Sequence, residues 1–169
     1  MIEPSKLYTA ARKKEKENAK FRVFLKNRAE ADELDAHFLK LHQEIFAEYD
    51  CCKCTHCCLV YTLDLRESEV DAISAYLGMS VPAFSETYLV PSSAAYRIEC
   101  PCPFLLEDGK CKVQECKPAV CRDFPNTHKP NRLAHLLNIL SITQECPVVY
   151  EIVERLKEIY QFNKRKEGY

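Results

Sequence analysis

Cys51-Cys52-Lys53-Cys54-Thr55-His56-Cys57-Cys58 places five cysteines in eight residues. Six more follow, Cys100, Cys102, Cys111, Cys116, Cys121 and Cys146, for 11 in all. Thiolates at such density repel one another as anions, and as thiols they are open to oxidation. A soft cation or an iron–sulfur unit removes both difficulties, because thiolate sulfur prefers zinc, copper(I) or iron–sulfur partners. The stretch therefore reads as metal chemistry, and it predicts a chain built around a loop-rich, cysteine-coordinated centre.

Within it, Cys51-x2-Cys54-x2-Cys57 lets sulfurs converge on one centre while turn amides point toward them. The spacing matches the first three positions of the bacterial ferredoxin run C-x2-C-x2-C-x3-C-P, but Tyr61 stands at the fourth. The side chains of the Cys57-Cys58 doublet diverge, so its two sulfurs serve different metals or different irons more easily than one tetrahedral ion. The radical S-adenosylmethionine pattern C-x3-C-x2-C fails too, because Tyr61 again takes the third place after Cys54 and Cys58. With three glycines in the chain, neither Gly-rich phosphate loop is present. His56 lies inside the run, where neighbouring thiolates outcompete it for a metal. His37 and His42 read as core or surface residues, and His128 and His135 have no partner pattern.

Composition narrows the setting. A chain of 169 residues fits one domain with an attached arm. A net charge of −1 exerts no overall pull toward nucleic acid or membrane, so neither is expected as a partner. The first residues contain no apolar core of a secretory signal, and no run is long enough to span a bilayer. A cytoplasmic location is therefore expected. Reduced thiols in that setting, and an odd cysteine total, argue for metal binding over a disulfide framework. Lys53, Lys110, Lys112, Lys117 and Arg122 lie among the cysteines, either as counter-charges or as ordinary surface residues.

The flanks read as helices, and the fold class as mainly α. No Gly or Pro interrupts Ser5–Asp50, and Leu34, Phe38, Leu41, Ile45 and Tyr49 recur at helical spacing. One or two long helices over 5–49 would form an N-terminal arm, packed on a metal-binding domain at 50–169. Basic residues between Arg12 and Lys20 are interleaved with Glu15 and Glu17, the pattern of a solvated face. Leu59–Leu65 alternates weakly, as a short strand does. Arg66–Leu77 reads as a helix closed by Gly78, and Ser80 caps another that runs to about Tyr88. Residues 91–125 read as loops with a tight turn at Glu107–Lys110. A helix over Arg132–Leu140 would bury Leu133, Leu136, Leu137 and Leu140. The last, from Pro147 to about Asn163, would bury Val149, Ile152, Val153, Leu156, Ile159 and Tyr160.

Cys51-x2-Cys54-x2-Cys57-Cys58, Cys102-Pro-Phe-Leu, Gly109-Lys-Cys111, Lys117-Pro118-x2-Cys121-Arg-x-Phe-Pro125 and Cys146-Pro147 keep the order and spacing of a known pattern. Over roughly residues 50–150 the chain resembles the bacterial CxxCxxCC family, zinc- or iron-chelating cysteine-cluster proteins that include the flagellin lysine N-methylases. The resemblance implies metal ligation by Cys51, Cys54, Cys57, Cys58, Cys102, Cys111, Cys121 and Cys146. Cys52, Cys100 and Cys116 fall outside the pattern, and Lys117 replaces a more usual Arg. The methylase members are considerably longer than this chain.

The first functional expectation is a metal-binding protein holding zinc or iron, with metal ions as its partners. The resemblance implies an alternative: an iron–sulfur-dependent enzyme, with a [4Fe-4S] cluster, that methylates protein lysine using S-adenosylmethionine. The ferredoxin-like spacing suggests a small electron-transfer protein. No catalytic residue is assigned.

Overall fold

The structure, a computed structural model, describes residues 1–91 and 96–162. Its helices are α1 (Pro4–Arg28), α2 (Ala31–Phe46), α3 (Cys51–Cys54), α4 (His56–Val60), α5 (Glu67–Tyr76), α6 (Val81–Tyr88), α7 (Ala119–Asp123), α8 (Leu136–Ile142) and α9 (Pro147–Ile159). Strands β1 (Leu63–Leu65) and β2 (Tyr96–Ile98) form a two-stranded sheet, and a 3-10 turn covers Gln114–Cys116. The class is mainly α, as the periodicities predict. Among the described residues, no helix is long and apolar enough to cross a membrane. The chain divides into two compact units, residues 1–49 with 125–169 and residues 50–124.

The first unit is helical. Pro4 starts α1, where its missing N–H costs nothing. Leu7, Ala11, Phe21 and Leu25 face inward from α1, as do Leu34, Phe38, Leu41 and Ile45 from α2. The break between these helices is the extended backbone at Ala29 and Glu30. Both pack on α9, which buries Val148, Val149, Ile152, Val153 and Leu156. A buried charge is locked into this core: the Lys157 ammonium donates to Glu17 at 2.9 Å and to Glu154.

Two expected helices differ in detail. The segment before α8 stays non-helical to His135, because the Asp35 carboxylate accepts the amides of Asn131 and Arg132 at 2.6 and 2.7 Å. The Arg132 guanidinium turns back onto the carbonyls of Asn126 and Pro130. The later start rotates the buried face to Leu136, Ile139 and Ile142, and leaves Leu137 68% exposed. In α9 the helix stops at Ile159, which is exposed, and the chain turns through a left-handed Gln161 (φ 52°). The expected end at Asn163 lies outside the described residues.

The second unit is built on a small apolar core. Leu63, Leu65, Val70, Ile73, Phe84, Ile98, Phe104 and Val113 are buried together. Strands β1 and β2 pair antiparallel, Leu63 opposite Ile98 and Leu65 opposite Tyr96, with an Asp64–Arg97 ion pair at 2.8 Å on the outer face. The strand expected from Leu59 begins only at Leu63, since Leu59 and Val60 complete α4 and are exposed. Gly78 closes α5 with φ +69°, and the Ser80 hydroxyl caps α6, as the sequence implies. Cys102, Cys111, Cys116 and Cys121 pack against this core.

Candidate metal centre

The cysteine run folds as two single helical turns in succession. The Asp50 carboxylate accepts the Cys52 amide at 2.9 Å and starts α3. Thr55 then takes the left-handed conformation (φ 50°, ψ 0°) and restarts the chain as α4. This kink between Cys54 and Cys57 keeps both turns too short to bury a face of their own. Cys51 and Cys52 are exposed, while Cys54, Cys57 and Cys58 are half-buried.

The later cysteines are brought to the same place by backbone contacts. The Cys102 amide donates to the Cys58 carbonyl at 2.8 Å, so the two segments are tied at their cysteines. Leu105 then bridges to Cys111 across the turn at Asp108–Gly109, where the Asp108 carboxylate accepts the Lys110 amide. Helix α7, which carries Cys121, is held at its first turn by Glu69: one carboxylate oxygen accepts the Ala119 amide at 2.8 Å. The other accepts the Arg66 amide at 2.9 Å, fixing the start of α5.

The result is an open cavity of about 90 Å³ lined by Cys51, Cys52, Cys57, Cys58, Cys102, Cys111 and Cys121. Tyr61, Leu63, Phe104, Val113, Val120 and Phe124 supply an apolar wall, and Lys117 also lines it. The Tyr61 and Phe124 rings sit 5.6 Å apart at 47°. Six of the eight cysteines in the expected ligand set therefore meet around one space. Cys54 does not line the cavity, though its charge acts on Cys51. Cys146 belongs to the helical unit, where it is buried at the start of α9 and its amide donates to the Ile142 carbonyl at 2.9 Å. Cys52, outside the expected set, lines the cavity; Cys100 and Cys116 do not.

Electrostatics show which thiols share an environment. Burial pushes the Cys121 thiol up to about 12, and the sulfurs of Cys102, Cys58 and Cys111 push the same way against Lys117. Burial likewise raises Cys102, whose neighbours include Cys58 and Cys111. Cys58 goes the other way: a hydrogen bond with Cys57 pulls it down to about 6 against the effect of burial, with help from Lys117. Although Cys51 is exposed as a residue, partial desolvation at the cavity raises its thiol, and Cys54 raises it further. Cys58, Cys102, Cys111 and Cys121 thus form one mutually interacting set, with Cys51 and Cys54 a second.

Among the described residues, no three His, Cys, Asp or Glu side chains stand in a ready-made coordination geometry. The thiols ring the cavity and do not converge on a point within it. The chemistry of the donors is nonetheless that of a soft-metal site: sulfur on every side, with an apolar wall behind. A divalent cation there would replace thiol protons and reverse the mutual repulsion of the sulfurs.

Residues 50–151 match the CxxCxxCC family, described as “Putative zinc- or iron-chelating domain”. The chain belongs to the CxxCxxCC family. No curated protein and no solved structure matches it. The matched span covers the whole cavity-bearing unit and continues through Cys146 into α9. Within this CxxCxxCC protein, two contributors were not legible in the sequence. Glu69 positions α7 from 50 residues away, and Gly109 presses against Cys52. The Glu107–Lys110 turn signal marked Gly109 as a turn residue; nothing in the sequence marked its neighbour.

Proposed function

We propose that residues 50–124 form a metal-binding module that holds zinc or iron, and that its centre is polynuclear. The observation that carries this reading is the cavity on which cysteines from three separate stretches, 51–58, 102–111 and 121, converge. Cys58, Cys102, Cys111 and Cys121 would hold one metal position, and Cys51, Cys54 and Cys57 would contribute to a neighbouring one. The two positions would adjoin at the Cys57-Cys58 doublet, whose side chains are hydrogen-bonded to each other. The metal would supply folding energy to a loop-rich unit, on the order of 10 kcal/mol for a structural site. The family pattern adds Cys146 as a further ligand, and unchanged metal content in Cys146→Ser would remove it from the set.

An iron–sulfur unit is an alternative occupant to a zinc ion, suggested by the ferredoxin-like spacing of Cys51, Cys54 and Cys57. That occupant would allow either electron transfer or the methyl-transfer chemistry of the longer relatives; the binding of metal itself stands apart from both. A reduced, cytoplasmic setting suits so many thiols. The deciding experiment is anaerobic purification followed by metal and acid-labile sulfide analysis. Iron with stoichiometric sulfide supports the cluster, and colourless protein with zinc but no sulfide overturns it in favour of zinc. Protein without bound zinc or iron, and unable to take up either, overturns the metal reading.

A further inference from the structure

Lys117 carries a charge that no carboxylate among the described residues answers. It follows the 3-10 turn at Gln114–Cys116, its backbone amide donating to the Gln114 carbonyl and its carbonyl accepting from Arg122. The side chain is half-buried and lines the thiol cavity. Among the described residues, no carboxylate pairs with its ammonium. The contrast with the other cavity lysine is direct: Lys110 is 71% exposed and pairs with Asp108 at 3.1 Å. Among the residues that line the cavity there is no carboxylate, so the anion this lining can offer Lys117 is cysteine sulfur once it is deprotonated. Lys117 shares the cavity with Cys51 and Cys58 from one segment and Cys121 from another.

We infer that Lys117 is the built-in counterion of the metal–thiolate centre, holding the site's excess negative charge and favouring occupants that are anionic once ligated. Four thiolates on a divalent ion carry a net charge of −2, and a ferredoxin-type cluster with its four thiolates is anionic as well. Desolvating such a group against an apolar wall is costly unless a fixed cation stands by it. A lysine beside an apolar wall and without a carboxylate partner fits that role, whereas a lysine that merely shields a loop would be expected at the surface, as Lys110 is. The inference rests on the metal-binding reading above.

The test uses the full chain as wild type, Lys117→Met, Lys117→Arg and Lys117→Glu, with zinc affinity measured by competition against a chromophoric chelator at fixed pH. The unbranched methionine keeps the stem and removes the charge. Lys117→Met should bind about tenfold more weakly, Lys117→Arg within about threefold of wild type, and Lys117→Glu weakest of all. The gap between wild type and Lys117→Met should narrow as salt is raised, since the interaction is screened. The melting temperatures of the metal-free proteins should stay together, which a purely structural role would not allow. Wild-type affinity in Lys117→Met, or equal losses in Met and Arg variants with no salt dependence, overturns the counterion role while metal binding stands. Failure of the wild type to bind zinc or iron overturns both readings at once.

Discussion

Gly109 sits against the backbone of Cys52: a Cβ at residue 109 would lie 1.9 Å from the Cys52 carbonyl oxygen and 2.9 Å from its carbon. With φ at +82°, the residue also occupies backbone space that favours glycine. The turn after Leu106 and the first turn of the cysteine run are thus packed backbone to backbone. Gly109→Ala should cost about 2–4 kcal/mol of stability and displace α3, lowering bound metal per chain. Gly78→Ala is the matched control. Its φ of +69° is similar, but nothing lies within 4 Å of the added carbon, so the expected cost is about 1 kcal/mol with metal content unchanged. Chemical denaturation and metal analysis of the two variants check the contrast.

Cys57→Ser and Cys121→Ser should each lose bound metal and much of the thermal stability, whereas Cys116→Ser, which does not line the cavity, should keep both. A strong chelator should lower the melting temperature of the wild type and of Cys116→Ser alike. It should leave the two ligand variants nearly unmoved, because they have little metal to lose. Equal, negligible losses of metal across the three variants would sink the ligand assignment.

Glu69 joins two ends, accepting the Arg66 amide with one oxygen and the Ala119 amide with the other. Glu69→Ala should destabilise the unit by about 1–2 kcal/mol. The same change releases the first turn of the helix bearing Cys121, so metal should dissociate faster into excess chelator. Glu67→Ala, also in the first turn of α5, should not alter that rate.

The helical unit should show its own acid response. Burial would raise the Glu17 carboxyl, but the hydrogen bond and charge of Lys157, with Lys14, outweigh it and hold the group down to about 2. A carboxylate lowered from 4.5 contributes stability that is fully present above that pH and is lost as the pH falls toward 2. The difference in unfolding free energy between wild type and Glu17→Gln should be constant above about pH 4.5, near 1–2 kcal/mol after allowance for solvent screening. It should close below that pH. A gap independent of pH down to 2 would remove the ion pair from the account.

Much of the architecture was legible residue by residue. The stripe Leu34, Phe38, Leu41, Ile45 is buried as its spacing predicts, and Ser80 and Gly78 act as helix boundaries where they stand. Such features depend on neighbours three or four places away, which a linear reading captures. The helix over Arg132–Leu140 was misplaced because Asp35, 97 positions from Arg132, holds the amides that would have begun it. Ile159 continues the apolar stripe of α9 in spacing but is exposed in its last turn, which neighbours three or four places away do not reveal.

The cysteine spacing by itself determined the chemistry: sulfur at this density, in this order, points to a soft metal wherever the chain takes it. Tertiary structure decided which sulfurs share an environment, that Gly109 and Glu69 hold their segments in place, and that Lys117 lines the thiol cavity with no carboxylate partner among the described residues. Ligand type is a property of side chains and is written locally. Convergence is a property of backbone contacts between distant segments, Cys102 on Cys58 and Gly109 on Cys52, and only the folded chain forms them.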